Sequence, residues 1–145
     1  MAFYRTIFTA ISIILFNFCT YSEKKANFQL CGKKVFLEEA KSDDEIKKGL
    51  MNRNSLKKNH GMIFYFSYPS DWRFWMKNVL IPLDAGFFDK KKRLIKWKKM
   101  EVETPMLRDE HLKMYSGGKN TQFVIEMNAG WFKKNTKKEC VFKKL

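Results

Sequence analysis

The sequence predicts an α+β domain in which short strands outnumber helices. Apolar runs of strand length recur between residues 28 and 142, clusters of Gly, Pro, Asn and Asp separate them, and only two stretches carry helix signals. With 145 residues, 45% hydrophobic and 16% aromatic, the chain can bury one sizeable core and is too short for two full domains. Residues 28–145 therefore read as a single domain behind an N-terminal extension, with no internal repeat.

Strands are expected at 28–30 and 34–39, joined by a turn at Gly32-Lys33. Ser42-Asp43-Asp44-Glu45 has the form of a capping box, in which the Ser42 hydroxyl accepts from the Glu45 amide while the Glu45 carboxylate reaches back. Ile46 and Leu50 then share one face of a short helix ending near Met51. Residues 52–61 are polar and turn-rich, and 62–66 form a continuous apolar strand broken by Tyr68-Pro69-Ser70-Asp71. Extended structure resumes over 73–80. Residues 83–88 and 93–99 then make a hairpin with Lys90-Lys91-Lys92 at its tip. Between 101 and 120 no period is visible, and Pro105, Gly117 and Gly118 break the chain into the kind of long irregular segment that often lines a site. A strand at 122–127, a short helix capped by Asn128 and running to 134, and a last strand at 139–142 complete the order.

The extension has its own pattern. Arg5 is followed by the apolar run 6–18, an n-region and h-region of signal-peptide proportions that is short for a membrane span. Cys19 comes next, and then the polar Thr20-Tyr21-Ser22-Glu23-Lys24-Lys25. LFNFC resembles a bacterial lipobox, with Phe18 in place of the usual small residue before the cysteine. The expectation is a signal peptide at 1–18, acylation at Cys19 and a polar tether at 19–27; cleavage after Ser22 and an uncleaved anchor are the alternatives. Either way the protein is expected to be exported and held at a membrane of the bacterial cell envelope, on its periplasmic side. With Cys19 assigned to the extension, Cys31 and Cys140 form an even pair in a compartment where disulfides persist, and are expected to join. His60 and His111 stand apart in polar segments, so no metal-ligand spacing is visible and no cofactor is expected.

The formal charge of +14 favours polyanions or an anionic membrane surface as partners. The basic residues are nearly all lysine, 24 against five arginines, so composition alone accounts for the field. The run from Lys90 to Lys99 around Trp97 could bind single-stranded nucleic acid by stacking and phosphate contact. A solvated hairpin edge guarded by lysines explains it without a ligand, and nucleic acid is not an expected partner of an exported protein.

The densest stretch is FWMKNVLIPLD, residues 74–84. As a strand it places Phe74, Met76, Asn78 and Leu80 on one face, and Trp75, Lys77, Val79 and Ile81 on the other. Both faces are mostly apolar, so Lys77 and Asn78 need partners or water; Asp84 and Glu126 are the candidates. Gly49-Leu50-Met51, Gly61-Met62-Ile63-Phe64, Phe74-Trp75-Met76-Lys77-Asn78 and Ile81-Pro82-Leu83-Asp84 occur here in the order and spacing of one family. With Phe87-Phe88-Asp89, Tyr115, Val124-Ile125-Glu126 and Ala129-Gly130, the chain resembles the domain of unknown function 192 family over about residues 28–132. The resemblance implies a compact α+β fold with a mostly antiparallel, barrel-like sheet and one or two short helices, in a family whose members are often exported or membrane-attached. It supplies no established activity. Lys138-Glu139-Cys140 stands where the family commonly has a Gly-Asp turn before the last strand.

The functional expectation is a binding or interaction module of the envelope. A pocket edged by Arg53, Trp75, Lys77, Asn78, Asp84, Tyr115 and Glu126 would hold a small polar or anionic ligand. The alternative is an enzyme in which Asp84 or Glu126 acts as acid or base beside Lys77. No Ser-His-Asp set, Cys-His set or phosphate-cradling glycine loop is present. If the polar residues are structural, they satisfy one another inside a strand-rich core.

Overall fold

β1 (Phe28–Leu30) and β2 (Lys33–Ala40) pair antiparallel with Leu30 opposite Lys33, so the turn between them is Cys31-Gly32, one residue earlier than the sequence suggests. Both turn residues have positive φ, 46° and 79°. A two-residue turn of type I′ requires this, because its twist matches that of the flanking strands. The computed structural model describes residues 27–104, 108–137 and 139–145. The expected signal peptide, the tether to residue 26 and Cys19 lie outside the described residues.

α1 (Asp43–Lys48) begins with the expected capping box: the Ser42 hydroxyl accepts from the Glu45 amide, and Glu45 accepts from the Ser42 amide at 2.9 Å. It ends at Gly49, whose φ of 46° and ψ of −134° suit glycine and few other residues. β3 (His60–Ser70) then runs parallel to β2, with Phe36 opposite His60 and Ala40 opposite Phe64. A parallel pair needs a crossover of a dozen or more residues, and residues 41–59 supply it.

The remaining elements are β4 (Arg73–Phe74), β5 (Leu83–Phe88), β6 (Leu94–Met100), a single 3-10 turn at Asp109–His111, β7 (Tyr115–Ser116), β8 (Thr121–Asn128), α2 (Trp131–Asn135) and β9 (Phe142–Lys144). Seven strands form one sheet in the order β6-β5-β8-β3-β2-β1-β9, antiparallel at every step except β2–β3; β4 and β7 pair separately. The fold is thus α+β with a mixed, mostly antiparallel sheet. It curls until its ends meet: Arg93 bridges Val141, the Leu94 amide donates to the Cys140 carbonyl at 2.8 Å, and the Phe142 amide donates to Lys92. A disulfide joins Cys31, just after β1, to Cys140, just before β9. The last strand lies two to three residues beyond its expected place, because Cys140 and Val141 are spent on this closure.

The sheet is buried on both sides. On the inner face Phe28, Leu30, Val35, Leu37, Ile63, Ile125 and Met127 pack with Phe132 of α2 and Phe142 of β9. On the other face Phe64, Leu83, Ala85, Phe87 and Val124 pack under Leu50, Phe74, Met76 and Tyr115 from the connecting segments. All six residues of β5 are buried. Gly86 is what lets α2 approach it, since a Cβ there would lie 2.2 Å from the Phe132 ring.

Two local expectations are corrected. The extended run 73–80 shrinks to Arg73–Phe74: Asn78 adopts φ 54° and the Val79 amide turns back to the Met76 carbonyl, which ends any ladder. α2 is not capped by Asn128, whose Nδ2 donates to the Leu56 carbonyl at 2.9 Å; Gly130 is the N-cap, and the Phe132 amide is taken by Asp84.

Candidate functional site

The register of β3 against β8 slips between Tyr65 and Ser70, which advances five residues on β3 against two on β8, from Phe123 to Thr121. The surplus residues bulge out of the sheet and carry the chain round to Trp72. There the Phe66 and Trp72 rings stack at 4.2 Å and 12°, and Trp72 Nε1 donates to the Tyr68 carbonyl at 3.1 Å. Phe64 meets Phe74 edge-on at 5.0 Å and 79°. Opposite these rings, α1 and Gly49 approach β3, so that a Cβ on Gly49 would sit 3.5 Å from the Phe64 ring. Between the two walls lies a cleft of about 240 Å³, lined also by Leu50, Met51, Trp75 and Val79.

Its mouth is cationic. Lys47 and Lys48 from α1 and Arg73 from β4 line it, and all three are exposed. Its floor is acidic. Glu126 stands on β8 between Met62 of β3 and Ala85 of β5, on the face shared with Val124, and is 5% exposed. Among the described residues its carboxylate has neither a hydrogen bond nor an ion pair. Burial alone pushes it up to about 8, because no nearby positive charge or donor repays the desolvation of the anion. A carboxyl in this state can donate a hydrogen bond to a guest, or give up its proton when a positive charge arrives. A larger depression of about 410 Å³, bordered by Asn59, Asn128 and Trp131, holds no comparable buried acid.

The model of the DUF192 family, described as an uncharacterized ACR, matches residues 26–139. The chain belongs to the DUF192 family. A protein of unknown function from Novosphingobium aromaticivorans DSM 12444 is 26% identical, with a TM-score of 0.68 over 81% of this chain and 83% of that one. A candidate transcription regulator from Sinorhizobium meliloti 1021 is 24% identical, with a TM-score of 0.69 over 83% of this chain and 94% of that one, a likeness of fold alone. None of the curated proteins matches the sequence.

Several residues of the DUF192 motifs converge on the cleft: Gly49, Leu50, Met51, Phe64, Phe74 and Trp75 line it, with Glu126 at its base. The rest of the expected pocket does not assemble around them. Arg53 clasps Glu38 with both guanidinium nitrogens, Nη2 to Oε2 at 2.8 Å. Lys77 pairs with Asp109 at 2.6 Å in solvent, where such a pair contributes about 1 kcal/mol or less. Its ammonium also lies 5.9 Å from the centre of the Trp75 ring. Asn78 is an exposed turn residue whose carbonyl accepts from the Asn52 amide at 2.8 Å. Tyr115 is a core residue whose hydroxyl accepts from the Glu101 amide.

Asp84 is the largest correction. It alternates with Ala85, so it faces the inner side of the sheet while Glu126 faces the cleft. Its Oδ2 accepts from the Phe132 amide at 3.0 Å, and burial pushes its carboxyl up against the pull of the Phe132 and Gly130 amides. The polar cluster of Lys77, Asn78 and Asp84 is therefore not formed. Trp97, a candidate stacking platform, packs parallel to Phe132 at 6.4 Å. Among the described residues no group of three His, Cys, Asp or Glu side chains is placed to hold a metal, and no helix is long and apolar enough to cross a membrane.

Sequence reasoning missed Phe66, Trp72, Arg73, Lys47 and Lys48. The available signal was aromatic density, since Phe66, Trp72, Phe74 and Trp75 crowd one short stretch around a turn.

Proposed function

We propose that this DUF192 protein is a non-catalytic binding module that holds a small ligand between the aromatic wall and α1. The observation that carries this reading is Glu126. Its carboxyl is 5% exposed and makes no hydrogen bond or ion pair among the described residues, so only what enters the cleft can repay its desolvation; it forms the floor of an open, otherwise apolar cleft with a cationic mouth. Ligand sites commonly have that composition, apolar walls with a few convergent polar groups. An acid–base enzyme is less well supported, because Asp84 lies on the opposite face and Lys77 is engaged with Asp109 outside the cleft.

The reading is tested by titrating neutral, anionic, cationic and zwitterionic fragments while following the indole N–H resonances of the four tryptophans. At least one class is expected to shift Trp72 and Trp75 and leave Trp97 and Trp131 in place. Indoles unmoved by every class would dispose of the site.

The same proposal places the module in the cell envelope. The n-region and h-region favour export, and a disulfide closing the domain suits an oxidising compartment. Acylation at Cys19 with more than one chain would make the attachment stable. Metabolic palmitate labelling is expected in the wild type and absent in Cys19→Ala; equal labelling of both, or of neither, removes the lipid anchor from this reading.

A further inference from the structure

Three surfaces of the cleft restrict its guest. The first is the floor, where the Glu126 carboxyl is nine-tenths buried and unpaired among the described residues. A neutral hydrocarbon guest would fill the walls and leave that group as it is. A bare anion could sit at the cationic mouth or accept a hydrogen bond from the protonated carboxyl, but it would leave the aromatic faces without a cation.

The second surface is the wall. Phe64, Phe66, Trp72, Phe74 and Trp75 all line the cleft. Aromatic faces attract cations, and sets of them are the usual means of holding quaternary ammonium groups. Trp75 already has an ammonium near its ring, that of Lys77. The third surface is the mouth, where Lys47, Lys48 and Arg73 would oppose a simple cation, as would the net charge of +14. A guest that satisfies floor, wall and mouth together carries both signs of charge. A volume of about 240 Å³, below the roughly 300–1,000 Å³ usual for ligand pockets, requires it to be small.

We infer that the cleft binds a small zwitterion, with its organic ammonium against Glu126 and the aromatic rings and its anionic group at Lys47, Lys48 and Arg73. This rests on the cleft being a ligand site, as proposed above. Seating the ammonium takes Glu126 in its carboxylate form, so the protonated free protein releases one proton to solvent for each ligand bound. Among the described residues that line the cleft, Glu126 is the one carboxyl. Met62 and Ala85 flank Glu126 from β3 and β5 and do not titrate, while the charged groups that line the same cleft from α1 and β4, at its mouth, are Lys47, Lys48 and Arg73.

Calorimetric titration of the full chain with glycine betaine, tetramethylammonium chloride, sodium acetate and benzyl alcohol tests this. Glycine betaine is expected to bind best, with tetramethylammonium weaker and the other two weaker still by about tenfold or more. Betaine affinity should rise about tenfold per pH unit between about pH 5.5 and 7.5, the slope of one released proton. Glu126→Gln should abolish that slope and weaken binding at least about tenfold. The exposed Arg73→Glu serves as a second variant, and should weaken betaine while sparing or improving tetramethylammonium. Betaine binding that ignores pH overturns the inference. So does benzyl alcohol binding at Trp72 where neither ammonium binds, although the cleft would then still be a ligand site. If none of the four binds, the zwitterion inference fails, and the broader fragment titration decides whether the cleft binds anything.

Discussion

Removing the Cys31–Cys140 disulfide is expected to lower the unfolding free energy by about 4–5 kcal/mol, a large share of the 5–15 kcal/mol typical of a domain this size. The bridge spans 109 residues of sequence. In the chain-entropy account, the stabilisation comes from the loop it denies the unfolded chain. It also has a local effect. Cys140 is buried beside the bridge between Arg93 and Val141 that brings the ends of the sheet together, so the closure of β9 onto β6 depends on where this residue is held. Chemical unfolding of the wild type with and without reductant, beside Cys31→Ser/Cys140→Ser, measures the effect. The double variant should match the reduced protein and ignore reductant, with amide exchange at Phe142 and Leu94 accelerating first. Equal midpoints in all three samples would show that the closure needs no covalent tie.

What was legible in the sequence was local. The capping box of α1 depends on four consecutive residues, and the structure has it as read. β5 and β6 were legible because two apolar runs flank the short basic tip at Lys90-Lys91-Lys92; the structure adds Asp89, which accepts from the Lys91 and Arg93 amides at 2.8 and 2.9 Å. Alternation also held wherever a ladder persisted: it places Glu126 with Val124 and Asp84 opposite Ala85, which is why the two acids cannot share a site.

What was not legible depends on pairing between distant segments. No local pattern states that β2 and β3 run parallel, because the crossover through α1 reads the same whether the returning strand pairs with β2 or not. The misreading of 73–80 has a similar cause. Phe74, Met76 and Val79 are buried because this connecting segment covers the sheet, while Leu80 is exposed, and burial without a ladder leaves no period of two. Asp84 is a candidate partner of Lys77 in the sequence because lysine is the obvious partner of a carboxylate. Its actual partner is a backbone amide of α2, which has no side-chain signature. The cleft itself arises from the slipped register of β3 on β8, a property of two strands together.

The pH dependence of stability should carry the signature of Glu126 directly. Its folded-state value is raised by burial from 4.5 to about 8. Below about 4.5 both folded and unfolded chains hold the proton, and Glu126 contributes no pH dependence. Between 4.5 and 8 the unfolded chain has ionised while the folded one has not, so each pH unit costs the fold about 1.4 kcal/mol. Above about 8 both are ionised and the loss, on the order of 5 kcal/mol, is complete. Glu39 acts in the opposite sense. Hydrogen bonds from Lys144 and Lys41 pull it down to about 2, so its contribution is present above 4.5 and lost as pH falls toward 2, outside the window of Glu126. Asp84, raised by burial, adds a slope of the same sign as Glu126, so the wild-type curve alone does not isolate the cleft. The difference between wild type and Glu126→Gln does, because the amide has nearly the same shape and no charge to lose. That difference is expected to move in favour of the variant steadily from about pH 5 to 8 and then level off, measured by urea unfolding at each pH. A difference that stays flat across this interval would mean that Glu126 is solvated or paired in the folded protein, and the unpaired floor of the cleft would go with it.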